Sequence, residues 1–205
     1  KLESTEGGYT YNPVHSGGWN YDALYSTLKA NNITVLACIK TLPDWLLGYL
    51  RVNQAAPAVT KSEKAMSEMV IAPVLSVVKE ANADKIALFS GEPLYHEDLG
   101  GVCDFILAAN PRSFTPEPPI MVLVEAKKQD ILGGIPQCIA EMRTAQQLNL
   151  RKGRPGLVYG CVTTGTAWQF LRLEHETAEV DPQALFNADL GRIVGTFQWV
   201  VNQFV

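Results

Sequence analysis

The chain has 205 residues, of which 47% are hydrophobic and 19% are charged, and its formal net charge is −4. This composition supplies a sizeable core and excludes a disordered chain, and the acidic balance argues against a protein that coats nucleic acid through charge alone. No run reaches the roughly 18 apolar residues that a membrane-spanning helix needs, and no basic segment followed by an apolar one opens the chain. We therefore expect a soluble, cytoplasmic protein with no membrane contact.

The cysteines and histidines show no metal-ligand or catalytic spacing. The four cysteines lie far apart in apolar runs, which is typical of buried free thiols in a reducing compartment. They are Cys38, Cys103, Cys138 and Cys161. The histidines form no triad, so we expect them to be surface or structural residues; they are His15, His96 and His175.

The first part of the chain, residues 1–58, carries no motif, and we interpret it as a lead-in with a helical appendage. The main domain is expected to span 59–205. The elements predicted for the first part are an irregular lead-in over 1–19, a helix over 20–30, a strand over 33–39, a helix over 43–50 and a linker over 53–60.

The next helix begins at Thr60 or Ser62, either of which can serve as its N-cap. Its apolar stripe consists of Met66, Val70, Val74 and Val77. Pro73 interrupts the stripe, which predicts a kink or two consecutive helices. Glu63 lies on the same face as the stripe, whereas Glu68 falls nearer the solvent side. An acid in this position is either a favourable charge at a helix N-terminus or part of a site.

Three strands with short links follow, and this spacing predicts an antiparallel meander. They cover 85–90, 102–107 and a third run that starts at Ile120. The first strand is followed by Gly91-Glu92-Pro93, and a turn is expected at Leu99-Gly100-Gly101.

The third strand is entirely apolar from Ile120 to Val124, as in a strand buried on both faces. It runs directly into Glu125-Ala126-Lys127-Lys128. Glu125 and Lys127 are two residues apart, so their side chains point to the same side of the strand, and Lys128 points the other way. The alternative is an ordinary surface ion pair where a strand reaches solvent.

A helix is predicted to start at Gly133-Gly134-Ile135-Pro136 and to end near Asn149, with a strand pair over 157–163 and 168–173 and a closing helix within 185–204. The order is helix, three strands, helix, two strands, helix. This order predicts an α/β fold in which helices flank a mixed central sheet.

Several polar residues stand where apolar ones are expected. They are Glu63 on the first helix, Asp104 within the second strand, Glu125 and Lys127 at the end of the third, and Gln137 in the first turn of the following helix. Carboxylates that converge with a lysine suit Mg²⁺-dependent phosphodiester hydrolysis, because Mg²⁺ prefers oxygen ligands and acidifies bound water. A nearby lysine can orient or deprotonate that water.

These residues, in this order, resemble the PD-(D/E)XK nuclease superfamily. The matching segments are Gly101-Val102-Cys103-Asp104, Val124-Glu125-Ala126-Lys127 and Gln137. The chain is also similar to stand-alone nuclease-like proteins and to type I restriction nuclease domains, through Glu63 ahead of Pro73-Val74-Leu75 and through Thr164-Gly165-Thr166-Ala167-Trp168. The resemblance covers roughly residues 60–175, with Cys103 where the family has proline.

The resemblance implies a restriction-endonuclease-like core of αβββαβ order and a DNA-cleaving enzyme, acting as a homodimer or with a separate partner subunit. It implies that Asp104, Glu125 and the carbonyl of Ala126 hold Mg²⁺, for which Mn²⁺ can substitute. Lys127 would activate water or contact phosphate, and Glu63 would serve a second metal or its water. Gln137 would position phosphate or the lysine.

Two other functions stay open from the sequence. One is a non-catalytic nucleic-acid-binding or scaffold module that keeps the nuclease fold, and the other is a hydrolase of smaller phosphate esters. The basic turn Arg151, Lys152 and Arg154 could contact a phosphate backbone, but an ordinary exposed turn is favoured. Trp168 and Phe170 share a strand face and are expected in the core.

Overall fold

The computed structural model describes residues 2–5, 8–11, 41–97 and 99–205. The helix expected over 20–30 and the strand expected over 33–39 lie outside the described residues, as do His15 and Cys38. Two short strands, β1 (Leu2–Thr5) and β2 (Gly8–Tyr11), pair antiparallel where an irregular lead-in was expected. That expectation is wrong at these positions, because the strand propensity of residues such as Tyr and Thr outweighs the glycine signal. Among the described residues, no helix is both long enough and apolar enough to cross a membrane.

In the described residues from 41 onward, four helical segments and one π-helical turn precede the main sheet. They are α1 (Asp44–Asn53), α2 (Pro57–Thr60), α3 (Glu63–Met66), the π-helical turn Ser67–Ile71 and α4 (Ala72–Ala81). The linker expected over 53–60 instead contains α2, because Pro57 suits the first turn of a helix. Ser62 is the N-cap of α3, since its Oγ accepts the Ala65 N–H at 3.2 Å.

The π-helical turn ends at Ile71, two residues before Pro73. Proline lacks an N–H and its ring crowds the carbonyl four residues earlier, which in an unbroken helix would break or kink the chain. Here the N–H of Ala72 bonds to the carbonyl of Ser67, five residues back, and the wider turn accommodates Pro73. The predicted pair of consecutive helices is confirmed, with the π-helical turn as the join.

In the part of the chain that the structure describes, the main sheet has seven strands, and all neighbours are antiparallel except β5 and β6, which are parallel. Its strands are β3 (Ile86–His96), β4 (Leu99–Ala109), β5 (Ile120–Ala126), β6 (Val158–Thr163), β7 (Ala167–Glu174), β8 (Thr177–Val180) and β9 (Leu185–Phe186). The spatial order is β3-β4-β5-β6-β7-β8, with β9 beside β7. The predicted antiparallel meander of the first three strands is confirmed.

Strands β3 and β4 are longer than the sequence predicts. The expected end of the first strand at Ser90 and the turn expected at Leu99-Gly100-Gly101 are wrong, since Gly91-Glu92-Pro93 continues β3 and Leu99-Gly100-Gly101 begins β4. The two strands pair from Ile86↔Ala109 to His96↔Leu99, and this long ladder outweighs the local turn preference of glycine and proline.

Helices cover both faces of the sheet. Helix α5 (Ile131–Arg151) packs on one face, and α4 and α6 (Leu190–Val201) pack on the other. Every residue of β5 is buried, with Val122 and Val124 facing the α4/α6 layer and Ile120 and Leu123 facing α5. The α/β fold with a mixed, mostly antiparallel sheet flanked by helices is therefore confirmed.

The closing helix is shorter than the sequence predicts, and α1 packs with the main core. The closing helix starts only at Leu190, because β9 and a short 3₁₀ turn, Asn187–Asp189, occupy its expected beginning. Leu46 and Leu50 of α1 belong to the same core cluster as α4 and α6. The domain boundary at residue 58 stays a prediction.

Candidate functional site

Asp104 lies at a gap in the pairing of β4 with both of its neighbours. The register with β3 pairs Ser90 with Phe105 and Glu92 with Cys103, and leaves Gly91 and Asp104 between them. Gly91 has a φ of 67°, a left-handed conformation that glycine adopts most readily. On the other side of Asp104, the register with β5 ends at Phe105 and Val124.

Beyond the last backbone pair of β4 and β5, the side chain of Asp104 forms a hydrogen bond between the two strands. Its Oδ2 accepts the backbone N–H of Ala126 at 2.7 Å. The acid of the second core strand is thereby tied to the segment that carries Glu125 and Lys127. The structure thus brings Asp104 and the end of β5 together, as the sequence predicts.

Glu125 and Lys127 form a close pair at the end of β5. Lys127 Nζ lies 2.6 Å from Glu125 Oε1, and the Glu125 side chain is only 3% exposed. The predicted placement on one side of the strand is confirmed, and the alternative of a surface ion pair is wrong because the carboxylate is buried. The second oxygen, Glu125 Oε2, is buried with no hydrogen-bond partner among the described residues.

Helix α5 supplies the surroundings of Lys127. Lys127 Nζ donates a hydrogen bond to Gln137 Oε1 at 2.9 Å. Because α5 begins at Ile131, Gln137 stands in its second turn, and the expectation of a first-turn position is wrong. A Cβ on Gly134 would lie 2.9 Å from Lys127 Cγ, so glycine at this position leaves room for the lysine stem.

Glu141 is a further acid beside the site that sequence reasoning missed. It is 5% exposed, and its Oε1 accepts a hydrogen bond from Gln137 Nε2 at 3.2 Å. A signal was present in the sequence: Glu141 stands four residues after Gln137 and three after Cys138, on the apolar face of the helix.

Glu63, rather than Glu68, is tied to the segment after β5. Glu63 Oε2 accepts the backbone N–H of Lys128 at 2.8 Å. Glu68 is 61% exposed and lies 3.8 Å from Lys64 on its own helical run. A cleft of about 280 Å³ lies between this helical run and the sheet. Its lining includes Glu63, Ser67, Glu68, Ser90, Asp104 and Ala126.

Burial raises the pKa of three acids at the site. It raises the pKa of Glu125 to about 8, although the hydrogen bond from Lys127 opposes the shift. Burial also raises the pKa of Glu141 to about 7 and raises that of Asp104, where the Ala126 N–H opposes it. For Lys127, burial lowers the pKa, but the hydrogen bond and charge of Glu125 outweigh burial and leave it raised. The site therefore contains more carboxylates than one lysine neutralises.

The donor set fits a hard divalent cation. In the described part of the chain, no three His, Cys, Asp or Glu side chains are already grouped as a metal cluster. However, the charge of Asp104 raises the pKa of Glu125, so the two carboxylates lie near each other, and Glu125 Oε2 is buried without a hydrogen-bond partner among the described residues. Carboxylate oxygens are the ligands that Mg²⁺ prefers, and a cation would stabilise their ionised forms.

Other residues singled out from the sequence lie away from the site or in the core. Arg151, Lys152 and Arg154 are exposed, and α5 places Arg151 about 21 Å along its axis from Gln137. The structure therefore does not bring the basic turn to the carboxylates. Trp168 and Phe170 are buried, as predicted. The predicted free, buried thiols are confirmed for Cys103, Cys138 and Cys161.

Comparisons of the chain with protein-family models, with curated proteins and with solved structures find no match in any of the three. The resemblance to the PD-(D/E)XK superfamily therefore depends on the residues and their order in the chain. It stays a prediction.

Proposed function

We propose that this protein is a divalent-metal-dependent nuclease that hydrolyses phosphodiester bonds in DNA. One observation carries the proposal: Asp104 from β4 meets Glu125 and Lys127 from β5, and Glu125 has a buried oxygen without a hydrogen-bond partner. Two acids and a lysine in one place are the groups that metal-assisted phosphodiester hydrolysis requires.

The order of the elements supports a restriction-endonuclease-like core. A helix with Glu63 precedes three antiparallel strands, a long helix follows, and β6 then pairs parallel with β5. The acids occupy the second and third of these strands. This arrangement is similar to the PD-(D/E)XK pattern, in which the same elements carry the conserved chemistry.

The metal ligands in this proposal are Asp104, Glu125 and the carbonyl of Ala126, with Glu63 across the cleft serving a second metal or its water. Bound Mg²⁺ or Mn²⁺ supplies Lewis-acid polarisation of the scissile phosphate and a more acidic water. Lys127 is 25% exposed, so its anchored ammonium group can contact a water or phosphate oxygen at the site surface. Gln137 accepts from Lys127 and limits the positions of the ammonium group.

The acidic chain does not attract DNA through its overall charge. The formal net charge is −4, and the basic turn at 151–154 lies far from the carboxylates along α5. Neutralisation of the acids by bound cations is therefore a condition for phosphate to approach. A second copy of the chain or a separate subunit that supplies further basic contacts is part of the proposal.

The test is cleavage of labelled single-stranded and double-stranded DNA in Mg²⁺ or Mn²⁺. Wild type and Lys128→Ala are expected to cut, whereas Lys127→Ala is expected to lose cutting. Cutting by Lys127→Ala at the wild-type rate would refute the role of the site. Cleavage of a small phosphodiester but not of DNA would favour a hydrolase of smaller esters.

A second candidate function is a non-catalytic module that keeps the fold. It is favoured by one observation, which is that Asp104 and Glu63 each accept a backbone N–H and so have a structural use. Such a module has no need of a cation. Mn²⁺ binding by wild type that is lost in Asp104→Ala would argue against it.

A further inference from the structure

Glu141 is a buried acid whose hydrogen bonding is incomplete. Its Oε1 accepts from Gln137 Nε2 at 3.2 Å, and the nearby Cys103 thiol is a weak donor to the carboxylate, whereas Oε2 has no partner at full hydrogen-bond geometry among the described residues. A buried, incompletely paired carboxylate costs free energy, and an apolar residue on this face of α5 would avoid that cost. The neighbouring residues of the same face, Cys138, Ile139, Met142 and Ala145, are all buried and apolar.

The hydrogen bonds from Lys127 to Glu141 run in one direction. An ammonium group only donates, an ionised carboxylate only accepts, and a glutamine amide has an acceptor at one end and a donor at the other. Between Lys127 and Glu141, Gln137 satisfies both neighbours in only one orientation, with Oε1 toward the lysine and Nε2 toward the acid. The rotated amide would set its NH₂ against the ammonium.

We propose that Glu141 is a positioning residue that fixes the amide of Gln137 and, through it, the ammonium group of Lys127. The effect on catalysis depends on the proposed nuclease function, whereas the effect on Lys127 does not. Glu141 makes no direct hydrogen bond to Lys127, so its positioning effect passes through Gln137, while its charge also acts on Lys127 through space. The charge effect is lost in Glu141→Gln as well as in Glu141→Leu, so comparing the two variants isolates the positioning effect.

The electrostatics of the surroundings agree with a positioning role. Burial, opposed by the Gln137 hydrogen bond, raises the pKa of Glu141 to about 7, and the negative charge of Asp104 adds to the rise. Glu141 in turn raises the pKa of Glu125 and of the Cys103 thiol. An acid at this position is therefore unfavourable for stability. Its replacement by an apolar residue is expected to keep or raise the thermal stability, whereas the resulting loss of Lys127 alignment is expected to lower the cleavage rate.

Two substitutions separate positioning from packing. Glu141→Gln removes the charge but keeps an oxygen that can accept from Gln137, and Glu141→Leu removes the acceptor at similar volume. Gln137→Leu breaks the same hydrogen bonds from the other end. Glu176→Gln is the surface control, since Glu176 is an exposed acid paired with Arg143.

The first measurement is the NMR spectrum of the Lys127 ammonium group, assigned by its absence in Lys127→Arg. We expect Glu141→Leu and Gln137→Leu to broaden or shift this signal, while Glu141→Gln and Glu176→Gln keep it near its wild-type position. The second is Mn²⁺-dependent DNA cleavage, expected to fall about 10-fold or more in Glu141→Leu and less than about 3-fold in Glu141→Gln. Thermal unfolding of Glu141→Leu is expected at or above the wild-type temperature.

The outcomes distinguish the two proposals. If wild type does not cut DNA but Glu141→Leu alters the Lys127 signal, the nuclease function fails and the positioning role stands. An unchanged Lys127 signal in Glu141→Leu would overturn the positioning role, whatever the cleavage result. If Glu141→Leu does not fold, Glu141→Met replaces it in the same comparison.

Discussion

Asp104 Oδ2 in β4 accepts the backbone N–H of Ala126 in β5 at 2.7 Å, so a side chain of one core strand holds the end of the next. This contact lies where the register between the two strands has already ended, at Phe105 and Val124. The same carboxylate borders the cleft. Asp104 therefore links the stability of the β5 end to the proposed metal site.

Asp104→Ala and Asp104→Asn are expected to differ in stability. Alanine leaves the Ala126 N–H without its acceptor, and loss of a hydrogen bond to a charged group costs about 1 to 3 kcal/mol. Asparagine keeps an oxygen in place, so it is expected to lose less than half as much. Urea unfolding of the two variants checks this, and equal free energies of unfolding would contradict the structural role of the contact.

The stability of the metal-free protein is expected to decrease as the pH rises from 5 to 8. Burial raises the pKa of Glu125 to about 8 from an ordinary value of 4.5, so in this window the folded state binds more protons than the unfolded state. The stabilisation is present in full below the unfolded pKa and is lost as the pH rises through the folded pKa.

Glu125→Gln checks the source of this pH dependence. Chemical denaturation from pH 5 to 8 should give a flatter profile in Glu125→Gln than in wild type, with Glu68→Gln as the exposed-acid control. Mg²⁺ should stabilise wild type more at pH 8 than at pH 5, because cations bind the ionised carboxylate. Identical profiles for wild type and Glu125→Gln would refute a raised pKa at this residue.

Lys127→Ala is expected to reduce metal-dependent DNA cleavage by about 100-fold or more, the range for loss of a positioned acid–base group. Lys128→Ala is the matched control, because Lys128 is exposed and contacts Glu63 only through its backbone N–H. Single-turnover rates at saturating DNA measure the effect on the chemical step. Equal losses in both variants would instead indicate a general contribution of charge to DNA binding.

Gly134→Ala is expected to displace Lys127. The added Cβ would lie 2.7 Å from Val162 Cγ1 and 2.9 Å from Lys127 Cγ, so one side chain must move. Gly48→Ala in α1 is the control, since nothing lies within 4 Å of its Cβ and alanine favours a helix by about 0.5 to 1 kcal/mol. Thermal unfolding and cleavage rates should fall for Gly134→Ala and hold or rise for Gly48→Ala.

The local sequence predicts the placement of Glu125 and Lys127 together at the end of a buried strand. An apolar run that ends in Glu125-Ala126-Lys127 indicates a buried strand, and the two-residue spacing predicts that both side chains point to one side, where Lys127 Nζ lies 2.6 Å from Glu125 Oε1. The helical spacing likewise predicts the buried stripe from Met66 to Val77. In both cases a short pattern decides the structure because burial follows the period of the backbone.

Other features depend on partners distant in the chain and could not be predicted locally. Gly100 is typical of a turn, yet it pairs with Tyr95 in the long β3–β4 ladder. Glu141 stands among apolar neighbours on one face of α5, so its relation to Lys127 appears only through its contact with Gln137. The hydrogen bond from the Lys128 N–H to Glu63 joins residues 65 positions apart in the chain, so it depends on how α3 packs against the sheet.

The most direct test is calorimetric titration of the protein with Mn²⁺, comparing wild type, Asp104→Asn and Glu68→Gln. If Asp104 and Glu125 hold a divalent cation, wild type and Glu68→Gln should bind Mn²⁺ with similar affinity, and Asp104→Asn should bind it at least about 10-fold more weakly. No binding by wild type at millimolar Mn²⁺, or equal binding by Asp104→Asn, would contradict a metal site at these carboxylates.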